Sequence, residues 1–598
     1  MDYKELVAAY EKIDSSSKRL DKTYHISKLL KQTKDEDLEM IILLLNGNIY
    51  PAWNKKEMGV AARLVLKAIS LAGGISPMSV ENEWRKTGDL GKSAFNLMQN
   101  KKQATLFTQN LTVEKVFKDL RKLTEISGHG AVDQKIKVIA GLLSSANPKG
   151  AQYIVRTVLE DLRVGIGDGT IRDSIVWSME GVNIEVAEDN PYTRVVDSSL
   201  YSYLVEVEND VKSYYSQIVE IVQDAYNIKN DFAEVILLLR QGGINALKAV
   251  DVSIGNPMKV MLYQKAKGIS DAFERVGKPA AWEFKYDGFR LQIHNCDGKI
   301  TLFTRRLDNV TKQFPDVVKA VKENIKEDNF IIDSEVVGYD KKTGKYLPFQ
   351  NISQRIKRKY DIERMARDYP VELNVFDILA KANKSMLNEP FEIRRKAIIC
   401  MVSEKEKEII VAKQIITSDE KEAQEFYELA LNAGEEGVMA KNLNGIYKPG
   451  SRVGYGVKVK PVMETLDLVI VGAEWGKGKR SGWLSSFHIA CQDDEGNILG
   501  IGKVGTGIKE LEQEEDGGVT FEQLTGLLKP LILEEKGGEV KVKAKIIIEV
   551  NYEEIQKSSK YGSGYALRFP RVVQIRLDKP VEEISSLDYV DDLYFGQK

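Results

Sequence analysis

Cysteine and histidine are scarce in this 598-residue chain, at three and four residues. Cys296, Cys400 and Cys491 form no C-x-x-C pair, no zinc spacing and no disulfide framework. His25, His129, His294 and His488 show neither metal-ligand spacing nor a nucleophile partner, which leaves them structural or surface residues. Long apolar runs are missing as well. The aliphatic runs are short pieces such as 235–239, far below the roughly 18 residues a membrane span needs. The opening Met1-Asp2-Tyr3-Lys4-Glu5-Leu6 lacks the basic-then-apolar layout of a secretory signal. Together these absences point to a reduced, intracellular protein without a membrane segment. A charge excess of either sign is absent too: Lys plus Arg number 86 against 88 for Asp plus Glu, a net −2. Composition therefore neither announces nor excludes a nucleic-acid partner, because local patches carry phosphate affinity.

What is present suffices for several cores: 43% of residues are apolar and 29% charged. At roughly 100–200 residues per domain, the length predicts about three to five domains. Residues 1–250 read as helical. The segment 58–73 places Val60, Leu64, Val65, Ala68, Ile69 and Leu71 on one 3.6-period face closed by Gly73-Gly74. Similar segments run through 113–123, 134–143, 150–162 and 217–240, the last ending at Gln241-Gly242-Gly243, with no fixed repeat among them. Past Asp251 strands take over at 282–285, 289–295 and 299–305, with Asp297-Gly298 as a hairpin turn. Further strands at 330–339, 373–379 and 437–441 alternate with helices at 316–326 and 419–432, a mixed α+β pattern. A third block from Leu466 has strands at 466–473, 486–492 and 498–504 around a turn at 493–497. A helix at 521–533 and a strand at 545–552 complete what looks like a small antiparallel barrel. The boundaries fall near 250 and 461.

Two glycine-rich stretches imitate nucleotide loops. Gly91-Lys92-Ser93 ends like a P-loop, but Lys86 stands where its first glycine belongs and no apolar strand precedes it. Gly165-Ile166-Gly167-Asp168-Gly169 has Thr170 at the last glycine position of a dinucleotide fingerprint and follows a helix. Both read as helix-end loops.

Glu283-Phe284-Lys285-Tyr286-Asp287-Gly288-Phe289-Arg290 sets a lysine at a strand end, beside a turn-forming Asp-Gly and five residues before an arginine. Lysine amines become nucleophiles when burial or neighbouring positive charge makes them shed their proton. Alone, Lys-x-Asp-Gly describes a surface lysine beside an ordinary turn. It is followed in order by Thr304-Arg305-Arg306-Leu307, Ile332-Asp333-Ser334-Glu335-Val336 and Val375-Phe376-Asp377. Then come Glu435-Glu436-Gly437-Val438-Met439-Ala440-Lys441 and Lys458-Val459-Lys460. This ordered set resembles the nucleotidyltransferase motifs of the covalent DNA ligase and mRNA-capping superfamily. A triphosphate meeting a lysine needs cations to bear its charge, carboxylates to hold a divalent metal and an aromatic to sandwich the base.

The resemblance implies that Lys285 attacks the α-phosphate of ATP and carries AMP as a phosphoramidate. It implies that Glu283 reads the adenine, Phe376 stacks on it, and Glu335 holds the ribose or metal region. Arg290 and Arg305 then serve the sugar and phosphates, Glu436 is a Mg²⁺ ligand together with Glu335, and Asp287 supports the lysine. Arg452, Lys458 and Lys460 face the α-phosphate. Members usually carry a tryptophan two residues before the first of these lysines, where this chain has Gly456. Read by residue alone, Phe376 also fits plain core, and Lys458 with Lys460 also fits a solvated strand edge.

Ser563-Gly564-Tyr565-Ala566-Leu567-Arg568-Phe569-Pro570-Arg571, running on to Ile575-Arg576-Leu577-Asp578-Lys579, resembles the last motif of ATP-dependent DNA ligases, carried on an OB-fold. The likeness implies that Arg568, Arg571, Arg576, Asp578 and Lys579 orient the departing pyrophosphate. Trp475-Gly476-Lys477-Gly478-Lys479-Arg480 is a basic glycine loop suited to DNA phosphates or to a mobile tip. Upstream, Gly88-Asp89-Leu90-Gly91, Leu111-Thr112-Val113 and the stretch from Arg156 through Leu162-Arg163-Val164-Gly165-Ile166-Gly167 look like the helical DNA-binding domain of archaeal and eukaryal replicative ligases. The lack of a long extension before it looks archaeal. Arg163, Gly165 and Gly167 are its candidate DNA contacts.

The expectation is thus an all-α DNA-binding domain (1–250), an α+β adenylyltransferase domain of ATP-grasp-like ligase type (251–461) and a β-barrel OB-fold domain (462–598). The implied enzyme is a monomeric DNA ligase that uses ATP and Mg²⁺ to seal nicks in double-stranded DNA during replication, repair and recombination. Lys101-Lys102-Gln103-Ala104-Thr105-Leu106-Phe107 resembles an internal sliding-clamp peptide across Gln103 to Phe107. Two alternatives stand beside it: an RNA-end nucleotidyltransferase sharing Lys285, and a DNA-binding scaffold that keeps the fold without the reaction.

Overall fold

The computed structural model describes residues 1–54, 56–99, 111–186, 192–204, 211–347, 349–356, 358, 360–450, 452–461, 464–476, 480, 482–510 and 518–597. The chain divides into two compact units, Met1–Val459 and Lys460–Lys598. The first contains a helical domain followed by an α+β domain built on two sheets; the second is an OB-type barrel.

Helix Val113–Leu123 shows how the N-terminal domain forms. The Thr112 side chain accepts the Lys115 amide at 3.1 Å and caps the helix. Val113, Val116, Phe117, Leu120 and Leu123 bury one face, and Arg121 and Lys122 complement the C-terminal dipole. Each such fully buried side chain contributes about 1.5–3 kcal/mol. One hydrophobic core draws on residues from Tyr3 to Leu247.

Three features depart from the periodicity reading. The expected helix over 217–240 is two, Val211–Lys229 and Phe232–Lys248. Asn230 turns left-handed at φ 51°, and Asp231 caps the second helix through the Ala233 amide. That helix kinks at Gly243 rather than ending there. In helix Ala62–Gly73, Leu71 points outward at 55% exposure, so the buried face is narrower than its apolar pattern. The domain also carries an antiparallel hairpin, Val182–Glu185 with Thr193–Val196.

The α+β domain holds a five-stranded sheet in the order Gln414–Thr417, Ala280–Lys285, Gly437–Asn442, Arg452–Val459, Leu262–Lys265. The main path of its seven-stranded partner runs Lys384–Ser385, Val371–Lys381, Asn329–Tyr339, Phe289–Cys296, Lys299–Thr304. The Asp297-Gly298 turn joins the last two strands as expected, with φ of 49° and 80°, the left-handed pair a tight hairpin needs. Gly288 is fixed by proximity: a Cβ there would lie 2.2 Å from the Val336 carbonyl oxygen.

In the second unit, Leu466–Trp475 is the central strand, pairing with Leu484–Gln492, Glu539–Val542 and Ile547–Asn551 around one core. The helix expected over 521–533 stops at Leu528, before Pro530, and the chain turns into strand Ile532–Lys536. His488 lies between Glu474 and Glu539, 3.5 and 3.3 Å from their carboxylates. Lys503 pairs with both acids, 2.5 Å from Glu474 and 3.8 Å from Glu539, and offsets part of their charge.

Candidate active site

Strand Ala280–Lys285 runs between two neighbours, so every residue but the last is buried. Alternation sends Trp282 and Phe284 into the core against Phe273 and Phe426. Glu283 and Lys285 share the opposite face. Lys285 Nζ lies 2.7 Å from Glu436 Oε2, and the Glu436 amide donates to the Lys285 carbonyl at 3.0 Å. Glu436 occupies the turn before strand Gly437–Asn442 rather than the strand itself.

Around this pair acidic groups converge. Arg290 and Glu335 face each other in register on adjacent strands, which the close approach at Gly288 makes possible. Burial pushes the Glu335 carboxyl up to about 8, opposed by Lys285 and Arg290 and reinforced by Glu436 and Asp287. Glu435 is likewise pushed up to about 8, first by burial, while the Asp287 amide donating to its Oε2 at 2.8 Å works the other way. The Asp287 carboxylate in turn accepts the Phe349 amide at 3.2 Å.

Arg290 is held rigidly. Nη1 donates to the Met261 carbonyl at 2.9 Å, and Nη2 donates to the Tyr447 hydroxyl at 3.0 Å and pairs with buried Asp333. Tyr447 donates to the same Asp333 oxygen at 2.6 Å. Burial works against the guanidinium charge, and Asp333 more than offsets it. The half-buried Phe376 ring, on strand Val371–Lys381, lies between two cations: Arg290 Cζ at 5.2 Å and Lys441 Nζ at 5.1 Å from its centroid. Its neighbour Asp377 is clamped by Arg394 through bonds of 2.7 and 3.2 Å, and that cation outweighs burial to hold Asp377 below the usual carboxylate range.

Glu283 is buried and heavily engaged. Its Oε1 accepts from Gln414 Nε2 at 2.9 Å and Arg395 Nη1 at 3.3 Å, and its Oε2 lies 2.6 Å from Lys441 Nζ. Opposite, Gly456 lies so near Tyr263 that a Cβ would fall 2.4 Å from the ring. A tyrosine on the adjacent strand thus fills the space beside Gly456.

Lys285, Glu436, Glu335, Asp287, Arg290 and Phe376 are therefore brought together. Lys458 is half-buried, opposite Met439 on the neighbouring strand. Lys460 opens the second unit. Arg452 begins its strand, and its side chain lies outside the described residues. Arg305 stands exposed in the turn after Lys299–Thr304 and takes no part in these contacts. Sequence reasoning missed Lys441, Glu435 and Arg395 as participants, and the Asp333–Tyr447 brace. Lys441, Glu435 and Asp333 stood within the quoted motifs without a role assigned, Lys441 closing the apolar run Val438-Met439-Ala440, whereas Arg395 and Tyr447 carried no local signal.

Within the second unit, Arg568 pairs with Glu554 at 3.0 Å and Arg571 is exposed. Arg576 bonds both Asp467 oxygens, at 3.2 and 3.1 Å, and both Asp578 oxygens, at 3.0 and 2.8 Å. Those bonds hold the Asp578 carboxyl down at about 2. Lys579 donates to Asp467 at 2.6 Å. Residues 477–479 of the basic loop lie outside the described residues.

In the helical domain, Asp89 caps Leu90–Met98 and accepts Arg156 at 2.9 Å, and a Cβ on Gly91 would fall 2.8 Å from the Gln152 carbonyl. Gly88-Asp89-Leu90-Gly91 is thus a packing motif. Arg163 is half-exposed, with φ 59°, and pairs with Asp161 at 2.6 Å; Gly165 has φ 64°, and Gly167 precedes helix Asp168–Ser178. The segment Gln103 to Phe107 lies outside the described residues.

Three family descriptions match the chain: "DNA ligase N terminus" over residues 2–176, "ATP dependent DNA ligase domain" over 260–460 and "ATP dependent DNA ligase C terminal region" over 480–579. A DNA ligase of Nanoarchaeum equitans is 46% identical over 599 residues, covering 100% of this chain and 99% of the relative. One of Thermococcus fumicolans is 38% identical, covering 99% and 98%. The solved structure named Pmar-Lig_PreS3 shares the fold at TM-score 0.53 and 17% identity, covering 96% of this chain and 99% of that one.

Proposed function

We propose how this chain, which belongs to the ATP-dependent DNA ligase family and seals nicks in duplex DNA, divides that work among its residues. The observation that carries the reading is Lys285 Nζ, 2.7 Å from Glu436, in a cleft of cations and carboxylates beside an aromatic ring. Lys285 attacks the α-phosphorus of ATP. An N–P bond forms, the bond to the β-phosphate oxygen breaks, and pyrophosphate and the amine proton depart. AMP then passes to the 5′-phosphate at the nick, and the 3′-hydroxyl displaces AMP to close the backbone. Each step is an in-line displacement whose rate comes from positioning and charge.

Glu283 reads adenine and Phe376 stacks on it, while Arg290 and Arg305 serve the sugar and phosphates. Arg452, Lys458 and Lys460 serve the α-phosphate, and Arg568, Arg571, Arg576, Asp578 and Lys579 orient pyrophosphate. Glu335 and Glu436 would hold Mg²⁺. The fit is supported by the donor set: Glu335 and Glu436 offer hard carboxylate oxygens, and burial, then Glu436 and Asp287, push the Glu335 carboxyl up, a crowding of acids that a divalent cation would relieve. Such an ion supplies charge neutralisation at the reacting phosphate. Domain limits near 250 and 461 are supported by a helical core confined to residues up to Leu247. Arg163, Gly165 and Gly167 contact DNA, Gln103 to Phe107 engages a sliding clamp, and the enzyme works as an intracellular monomer.

Intact-mass measurement tests the reading. Incubation with ATP and Mg²⁺ adds one AMP, nicked duplex removes it, and Lys285→Ala never acquires it. An adduct formed by Lys285→Ala sinks the assignment.

A further inference from the structure

Three strands of the second unit bring Glu474, His488 and Glu539 to one face of their sheet. The register dictates the meeting. Glu474 stands opposite Glu539, and His488 stands opposite Gly472, two residues before Glu474 and on the same side of its strand. Gly472 has no side chain, so the imidazole lies close over its backbone: a Cβ there would fall 3.1 Å from His488 Nδ1. The ring's Nε2 thereby comes 3.5 Å from Glu474 Oε1 and 3.3 Å from Glu539 Oε1. Ligand atoms of all three residues lie within 4.8 Å of one another. No local spacing announces the group, because its members come from three different strands.

That arrangement matches a coordination polyhedron. Zinc binds imidazole nitrogen and carboxylate oxygen at about 2.0–2.2 Å, in a tetrahedron. Two corners of such a tetrahedron are separated by roughly 1.6 bond lengths, or about 3.3–3.6 Å. Both His488 distances fall on that edge. An imidazole donor favours zinc and the late transition ions over Mg²⁺ and Ca²⁺, which take oxygen ligands. Two carboxylates balance the charge of a divalent ion, and three protein ligands leave the fourth position to water.

Lys503 marks the place where positive charge is already drawn. Its Nζ lies 2.5 Å from Glu474 Oε1 and 3.8 Å from Glu539 Oε1. One ammonium leaves half of the acidic charge uncancelled, and its flexible stem, 36% exposed, can swing into solvent. All three ligands retain solvent contact, so an ion can reach them.

We propose that Glu474, His488 and Glu539 form a binding site for one divalent ion of the zinc class, which enters by displacing Lys503 from Glu474. These ligands all belong to the second unit, and the site is independent of the Mg²⁺ ligands assigned to the first.

Equilibrium dialysis of the full-length protein against micromolar Zn²⁺ tests the assignment, with millimolar Mg²⁺ present to compete at sites built only of oxygen. The unsubstituted protein should retain one more Zn²⁺ per chain than His488→Gln. In that variant the affinity should fall by at least the about tenfold that loss of a mere supporting group costs a metal site. Lys503→Met should bind about twofold to fivefold more tightly than the unsubstituted protein, because the competing ion pair is gone. Equal retention by the unsubstituted protein and His488→Gln overturns the proposal, and so does unchanged or weaker binding in Lys503→Met. Absence of bound Zn²⁺ in the unsubstituted protein overturns it whether or not the variants fold.

Discussion

Lys285 and Lys441 point into one cleft from adjacent strands, yet their surroundings give them opposite duties. Lys285 sits at the strand end, 21% exposed beside Glu436, where a nucleotide phosphate can reach it. Lys441 is sealed between Glu283 and two rings, where it can only donate. The carboxyls nearby set a pH dependence whose sign is fixed. Glu335 and Glu435 ionise near 4.5 ordinarily and near 8 in the folded protein, burial being the main cause. Between those values the folded state holds protons that the unfolded chain has released, so stability falls as pH rises through that window and levels off above about 8. Thermal midpoints in chelator should therefore decline from pH 5 to 8, and the decline should be shallower in Glu335→Gln. An unchanged slope in that variant would show that Glu335 is not the source.

At the scale of elements, the contact between strands Leu262–Lys265 and Arg452–Val459 turns on one missing side chain. Tyr263 packs so close to Gly456 that even a methyl group would overlap its ring. Gly456→Ala should cost about 1–3 kcal/mol by overpacking, and Tyr263→Ala in the same chain should recover part of it. Chemical denaturation of the two variants checks this; equal destabilisation with and without Tyr263 would refute the contact. The neighbourhood shows what the sequence could and could not disclose. Strands such as Phe289–Cys296 and helices such as Val113–Leu123 were legible because local periodicity and a turn or cap coincide. The break at Asn230 was read past, although Asn230-Asp231 supplies a left-handed turn residue and an N-cap, because apolar periodicity resumes on both sides of it. Lys285, Glu335, Phe376 and Glu436 were legible through an ordered set of motifs. Arg395 and the Asp333–Tyr447 brace were not, since their partners lie 112 and 114 residues away in the chain and no local spacing joins them.

For the molecule as a whole, two compact units with separate cores imply two melting events. Scanning calorimetry of the full chain should resolve them, and residues 460–598 expressed alone should melt cooperatively near one of the two temperatures. A single transition for the chain, with no cooperative melting of 460–598, would contradict it. The second unit also stores its cations in an unexpected way, for Arg576 and Lys579 both rest on Asp467. In chromatographic terms that acid is a resident counter-ion: a phosphate seeking those two groups must exchange with it rather than settle on bare charge. The unit is accordingly less sticky toward polyanions than its basic motif suggests. Asp467→Asn should elute from heparin at higher salt than the parent, and an unchanged elution would mean the carboxylate shields nothing. A protein that must leave each sealed nick to find the next gains from carrying its own competitor.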